Sequence, residues 1–314
     1  MKAGKRLQYA LKRAFKKSDI TSPLTFFSDI AQISLGERPV SVEPLSPKGH
    51  VFVLQFPDGR RISARLLQNR YGREASPRQR VRLHDQMQSQ GAAVRPVIGR
   101  YKNVVFSEFT PGNDLRESET IADTRKISKA LHSLHGVSPQ KKIFQNLLMR
   151  RSLRKEFNAY ISFLEQKKIL SAKQGRAIRG RFSAAFPRQF NIRYIHDDFA
   201  PQNIVRTPNG RIIMIDDLTI KLGIAEMDLG KFIRFTQNPY YFLRAYPDRE
   251  IVQSFLRNKE FWDTYFFARH AYHKFFKGKT AQGQQALDSL LASIETRERI
   301  RPSGVPKRVP AEIA

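Results

Sequence analysis

Two kinds of hydrophobic spacing divide the chain. In the first third the apolar residues come in short runs: Val51–Phe56 and Arg61–Leu67 flank Pro57-Asp58-Gly59, a turn-forming trio. This pattern predicts a β-hairpin. Leu45–His50 before it reads as a loop. Two further strands are predicted near Val94–Arg100 and Val104–Phe109, with a helix over Ser76–Gln90 whose Val81, Leu83, His84 and Met87 mark one face. Pro111-Gly112-Asn113-Asp114 then breaks the chain. Beyond it the spacing turns helical: Ile121–His135 repeats apolar residues at 127, 130, 131 and 134, and Asn146–Gln166 and Ala172–Phe186 follow. Strand-like runs return only at Ile192–His196, Ile204–Thr207 and Arg211–Ile215, and helices resume from about Met227 to Glu298. Phe261–Phe276 carries aromatic residues at helical spacing and reads as core.

These elements predict an α+β chain with four regions. Residues 1–19 form a basic amphipathic segment, 20–110 a small sheet with a helix, 111–300 a larger helical part containing a loop-rich segment at 194–217, and 301–314 an irregular tail. In the first segment Met1 to Lys17 holds seven Lys/Arg and no acid, with Leu7, Leu11, Ala14 and Phe15 at helical spacing. Such a helix could lie on an anionic membrane surface; the simpler reading is a solvated terminal helix with one face docked on the body.

Composition sharpens this picture. Of 314 residues, 40% are hydrophobic, enough to build a core despite a formal charge of +28 from 56 Lys+Arg against 28 Asp+Glu. The absence of cysteine excludes disulfides, thiolate zinc sites and cysteine nucleophiles. No apolar run reaches the ~18 residues of a membrane span, and the N-terminus lacks a secretory signal, so the expected location is cytoplasmic, at most peripheral on the inner face of the membrane. The charge favours anionic partners.

Candidate chemistry concentrates in Tyr194–Asp217. His196 is followed by Asp198 two residues later, Asn203 five further on and Asp216 thirteen after that. Asn209-Gly210 supplies a hairpin turn between the last two. The expectation is a loop that delivers Asp198 and Asn203, and a short hairpin that returns Asp216 beside Asn203. Two carboxylates and an amide oxygen then suit a hard cation. Phosphoryl transfer needs such a set: one Asp to take the acceptor's proton, an Asn and a second Asp to hold Mg²⁺ on the phosphates of ATP.

His196-Asp197-Asp198-Phe199-Ala200-Pro201-Gln202-Asn203 resembles the catalytic loop of the kinase-like fold, in its aminoglycoside phosphotransferase / choline kinase-like branch, which includes lipopolysaccharide-core sugar kinases. Ile215-Asp216 resembles that branch's metal-binding pair, Leu131–Gly136 its stretch before the insert helices, and Asp228-Leu229 its later Asp-Leu. The resemblance spans about residues 40 to 275 and implies a bilobal protein-kinase-like fold, with a small mainly-β N-lobe and a larger helical C-lobe. It implies Asp198 as catalytic base, Asn203 and Asp216 as metal ligands, and His196 and Asp228 as supports of the loop. Asp197 stands where the branch usually has Gly, and Asp217 where it often has an aromatic residue; a structural or solvated role is expected for Asp217. For the nucleotide, Arg65 takes the place of the third-strand Lys, Glu74 is its candidate partner, Gly49 is a candidate phosphate-loop glycine, and Glu108 lies in the expected hinge, where backbone would contact adenine.

Residues 141–181 bear on the acceptor. Twelve Lys/Arg and two acids give this stretch a net +10. Such a wall repels cationic acceptors such as aminoglycosides and choline, and favours an anionic small molecule or an envelope or lipopolysaccharide sugar. Two other readings stand beside the small-molecule or glycan kinase: a protein kinase, and a kinase-like binding or regulatory module with weak turnover. Arg65, the poor glycine loop and Asp197 favour the module; the intact Asp198, Asn203 and Asp216 oppose it. Nucleic-acid binding has the charge but no recognised motif.

Overall fold

A computed structural model describes residues 23–45, 51–67, 77–115, 118–137 and 145–299. The basic first segment, the tail, Gly49 and Glu74 lie outside the described residues. The chain divides into two compact units, one formed by residues up to 117 with 202–220, the other by 118–201 with the rest.

The first unit is built on helix α1 (Pro23–Leu35) and a five-stranded antiparallel sheet of β1 (Ser41–Pro44), β2 (Val51–Gln55), β3 (Arg61–Leu66), β4 (Val97–Tyr101) and β5 (Val104–Glu108), in the order β1-β2-β3-β5-β4. Register explains its two faces. Phe52 pairs with Ala64, which pairs with Phe106, so these residues point to one side. There they pack with Leu54, Ile62 and Leu66 against Phe27, Ile30 and Ala31 of α1. The opposite face carries Val105, which clusters with Leu67 and with Leu218 from the 202–220 segment; Val81 of α2 (Pro77–Ser89) packs against them. Arg65 is the register partner of Val105 and therefore projects to this second face. Gly59 closes the β2–β3 turn at φ +81°, a conformation that favours glycine.

A smaller sheet in the same unit joins β6 (Asn113–Asp114), β8 (Ile204–Arg206) and β9 (Ile212–Met214). A Cβ at Gly112 would meet the Arg206 carbonyl at 2.3 Å, so glycine is what lets this segment lie against β8. Met214 also donates to the Ala93 carbonyl (3.0 Å), tying the hairpin to the chain before β4.

The second unit contains an antiparallel ribbon of β7 (Ile192–Ile195) with β10 (Lys221–Ile224) and eight helices among the described residues. These are α3 (Ile121–Gly136), α4 (Gln145–Gln166), α5 (Ala172–Ala184), α6 (Ala225–Ile233), α7 (Pro239–Ala245), α8 (Arg249–Arg257), α9 (Lys259–Phe276) and α10 (Thr280–Arg299). Capping boxes start α3 (Thr120 with Asp123) and α5 (Ser171 with Gln174). The aromatic run of α9 is core: Phe261, Trp262, Tyr265 and Phe266 are buried, and Phe261 meets Phe182, which stacks on Phe157 at 3.7 Å. Among the described residues no helix is long and apolar enough to cross a membrane.

Four elements differ from the sequence expectation. Helix α1 is new; Phe27, Ile30 and Ala31 have helical spacing, but polar residues interleave them. Strands β1, β6 and β10, of four, two and four residues, are too short to show a period.

Candidate functional site

In the second unit, β7 runs into His196 and the loop that follows. The loop backbone is held from α6. Asp228 is fully buried and accepts the N–H of His196 at Oδ2 (2.7 Å) and the N–H of Asp197 at Oδ1 (3.0 Å). Behind Asp228 stands His135, Nε2 at 3.3 Å, whose Nδ1 meets the Tyr246 hydroxyl at 2.6 Å. Burial pushes the Tyr246 phenol up, so it keeps its proton and donates to Nδ1. That assigns the proton of His135 to Nε2, where it faces the carboxylate. Tyr246, His135 and Asp228 thus form one chain of bonds ending on the loop backbone. The His196 side chain is buried, with its ring beside Phe199, and does not line an exposed site.

Asp197 has φ +64°, a left-handed conformation in which Asp is among the few tolerated non-glycine residues. This is the backbone reason glycine suits the position. Its carboxylate pairs with Lys221 at 2.7 Å. Asp198 follows with its side chain 44% exposed and its Oδ1 against the Lys231 ammonium. Lys231 also donates to the Asp197 carbonyl (3.3 Å). It lies one helical turn beyond Asp228 on α6, so that helix fixes the loop backbone and supplies a cation to the Asp198 carboxylate. The sequence reading missed Lys231; Asp228-x-x-Lys231 was its signal.

In the first unit, the β8–β9 register Ile204 with Met214 extends one step further through the Ile215 N–H, which donates to the Asn203 carbonyl (2.9 Å). Asp216 therefore begins beside Asn203. It has φ +62°, and its carboxylate, about one-third exposed, pairs with the Arg65 guanidinium. β3 and the β8–β9 hairpin thus bring together Arg65, Asp216 and the Asn203 backbone, for which the resemblance implies phosphate and metal contacts. Glu108 at the end of β5 is exposed, and its N–H is bonded to the Pro96 carbonyl (3.1 Å), so that N–H is not available to a nucleotide.

Asp217 is anchored in the unit's interior. It is 1% exposed and accepts from the Arg95 N–H (3.0 Å) and the Arg95 guanidinium (2.9 Å), and His84 Nε2 lies at 3.1 Å. Burial works against its charge, yet the Arg95 guanidinium and His84 hold its carboxyl well below the usual range. Arg80 adds a bond from α2 to the Leu218 carbonyl (3.0 Å), and the Thr219 hydroxyl one to the Asp216 carbonyl (2.8 Å). Both flanks of Asp216 are therefore fixed. His84 and Arg95 were not recognised as partners of this segment from the sequence.

Among the described residues no group of three His, Cys, Asp or Glu side chains could hold a metal. The donor set at hand is the Asn203 amide and the Asp216 carboxylate. Hard oxygen donors of this kind fit Mg²⁺, which keeps several waters and takes its other ligands from substrate phosphates.

No protein-family model and no curated protein matches the chain by sequence. Solved structures do match by shape. Plasmodium vivax ethanolamine kinase is 13% identical at a TM-score of 0.61, covering 91% of this chain and 92% of its own. Choline kinase LicA from Streptococcus pneumoniae, also solved in complex with AMP, is 15% identical at 0.62, covering 85% and 98%. Macrolide 2′-phosphotransferase MphH from Brachybacterium faecium is 14% identical at 0.55, covering 90% and 100%.

Proposed function

From this premise, that the chain has the protein-kinase-like fold of choline kinases and antibiotic phosphotransferases, we propose that it is an ATP- and Mg²⁺-dependent phosphotransferase with an alcohol acceptor. The observation that carries the reading is the fixed presentation of its acids. Buried Asp228 holds the backbone just before Asp198, and buried Asp217 holds the backbone just after Asp216. A fold that only needed these segments as surface loops would not bury two carboxylates to fix them.

In the proposed reaction Asp198 accepts the hydrogen bond of the acceptor hydroxyl and takes its proton as the oxygen attacks the terminal phosphorus. The new O–P bond forms, the bond from phosphorus to the β,γ-bridging oxygen breaks, and ADP leaves with that electron pair. Lys231, paired with the Asp198 carboxylate, orients it before attack. Asn203 and Asp216 would hold Mg²⁺, which supplies charge neutralisation on the phosphates when bound. Arg65, which pairs with Asp216, would bind a phosphate oxygen with a cation that never deprotonates. The Glu108 N–H, bonded to the Pro96 carbonyl, takes no part in binding the nucleotide.

The acceptor is anionic: a phosphorylated or acidic small molecule, or an envelope or lipopolysaccharide sugar. The support is the +10 of residues 141–181. A thermal-shift screen with ATP, GTP and Mg²⁺, followed by phosphate transfer to such glycans, tests the reading. Nucleotide-dependent stabilisation and a phosphorylated product are expected; a chain that no nucleotide stabilises refutes it and returns the binding-module alternative.

A further inference from the structure

Helix α4 opens with a stripe of residues at i, i+4 and i+8: Asn146, Arg150 and Arg154, with Arg151 alongside. Facing it within the same unit runs the segment from Phe186 to Phe190. The two are pinned together by polar bonds, Asn146 Nδ2 to the Phe190 carbonyl (3.1 Å) and the Arg150 guanidinium to the Arg188 carbonyl. Between them lies a cavity of about 520 Å³ lined by Asn146, Arg150, Arg151, Arg154, Arg188 and Gln189, among others.

Its chemistry is one-sided. Four arginines line the space and, among the described residues, no acid does. Among the described residues none of the four is paired with an acid; Glu156, the nearest acid along α4, bonds the Tyr160 hydroxyl instead. Two of the four are also held in place: the guanidinium groups of Arg150 and Arg154 rest over the Phe186 ring, at 5.3 and 4.4 Å from its centre. Stacking fixes the plane of a guanidinium and leaves its edge free to donate. Four like charges gathered in one concavity repel each other, and a solvated basic face has no need of stacking or of a cavity. A volume of this size is that of a small-ligand site.

We propose that Arg150, Arg151, Arg154 and Arg188 form a binding site for a soluble ligand carrying a phosphate monoester or diphosphate group. The paired non-bridging oxygens of each phosphorus match the paired donors of guanidinium edges. Used as an anchor for the anionic acceptor, the site deepens the phosphotransferase reading and in that role rests on it; the binding itself does not.

The test is calorimetric titration of the full chain with inorganic pyrophosphate. The comparison variants are Arg151→Gln/Arg188→Gln, at two exposed positions that carry no stacking contact, and Asp216→Ala. Binding that weakens with salt is expected. It should fall at least ~tenfold in the arginine variant with Tm unchanged, since each charge-assisted bond to an anion contributes about a decade or more. It should persist in Asp216→Ala. Equal affinity in the arginine variant, no binding by the wild-type chain, loss in Asp216→Ala alone, or binding only to phosphatidylcholine vesicles containing phosphatidic acid overturns the site. No turnover is read here, so a chain that binds pyrophosphate through these arginines but transfers no phosphate sinks the enzyme reading and leaves this one standing. The reverse outcome does the opposite.

Discussion

Removing the Asp217 carboxylate is the sharpest test of how the hairpin end is held. Asp217→Ala leaves three donors facing each other in the interior: the Arg95 guanidinium, the Arg95 N–H and His84 Nε2, all within 3.1 Å of the lost oxygens. Arg95 is 8% exposed and cannot turn to water without moving the chain before β4. Breaking a buried pair from one side costs about 3–5 kcal/mol, because a charge is stranded. At ~2–4 °C per kcal/mol for a chain of this order, Tm should fall by roughly 10 °C. The assay is thermal and urea unfolding by circular dichroism, run as a double-mutant cycle with Arg95→Met. Removing the stranded charge too should recover at least ~2 kcal/mol, so the double variant is more stable than Asp217→Ala alone. The wild-type carboxylate also has a pH signature. Its folded pKa is depressed, so its stabilisation is present above the unfolded value of 3.8 and is lost as pH falls below it. A single variant within ~1 kcal/mol of wild type, or strictly additive effects in the cycle, would refute the argument.

Asp228→Ala should orphan the N–H groups of His196 and Asp197 as well as His135, at ~1–3 kcal/mol each, and lower turnover ~10²-fold by loosening the loop; unfolding and kcat measured together check it, and an active, stable variant contradicts it. Lys231→Ala should cut kcat while leaving nucleotide affinity unchanged, read by single-turnover kinetics and calorimetry. Burial, with Arg269 and Lys277 nearby, pushes the His273 imidazole down from 6.5 to about 4. Between these values the unfolded chain binds a proton that the folded one does not, so stability falls as pH drops from 6.5 toward 4. His273→Gln should flatten that limb of a Tm–pH curve; an unchanged slope removes His273 as its source.

What the sequence made legible follows the range of the interactions. The hairpin at 51–66 showed because its two apolar runs and turn lie within sixteen residues, and the 194–217 segment because spacing within one loop is itself the signal. The pairs that fix the segment span far longer separations: His84 and Arg95 reach Asp217 across 133 and 122 positions, and Lys231 reaches Asp198 across 33. An isolated His on an apolar helix face looks the same whether it fills space or holds a carboxylate. Asp217 was read as structural or solvated, and only its burial separates the two. The +28 charge suggested anions everywhere; packing singles out four arginines that line one cavity, two of them stacked on the Phe186 ring.

The most direct test of the central claim is phosphate transfer from ATP to phosphorylated or acidic glycan acceptors, by wild type and by Asp198→Ala. Asp198 is half-exposed, so its loss should leave Tm and nucleotide affinity unchanged while transfer falls by about 10²–10⁴-fold, the contribution of a positioned general base. Turnover by Asp198→Ala equal to that of the wild type would contradict the account.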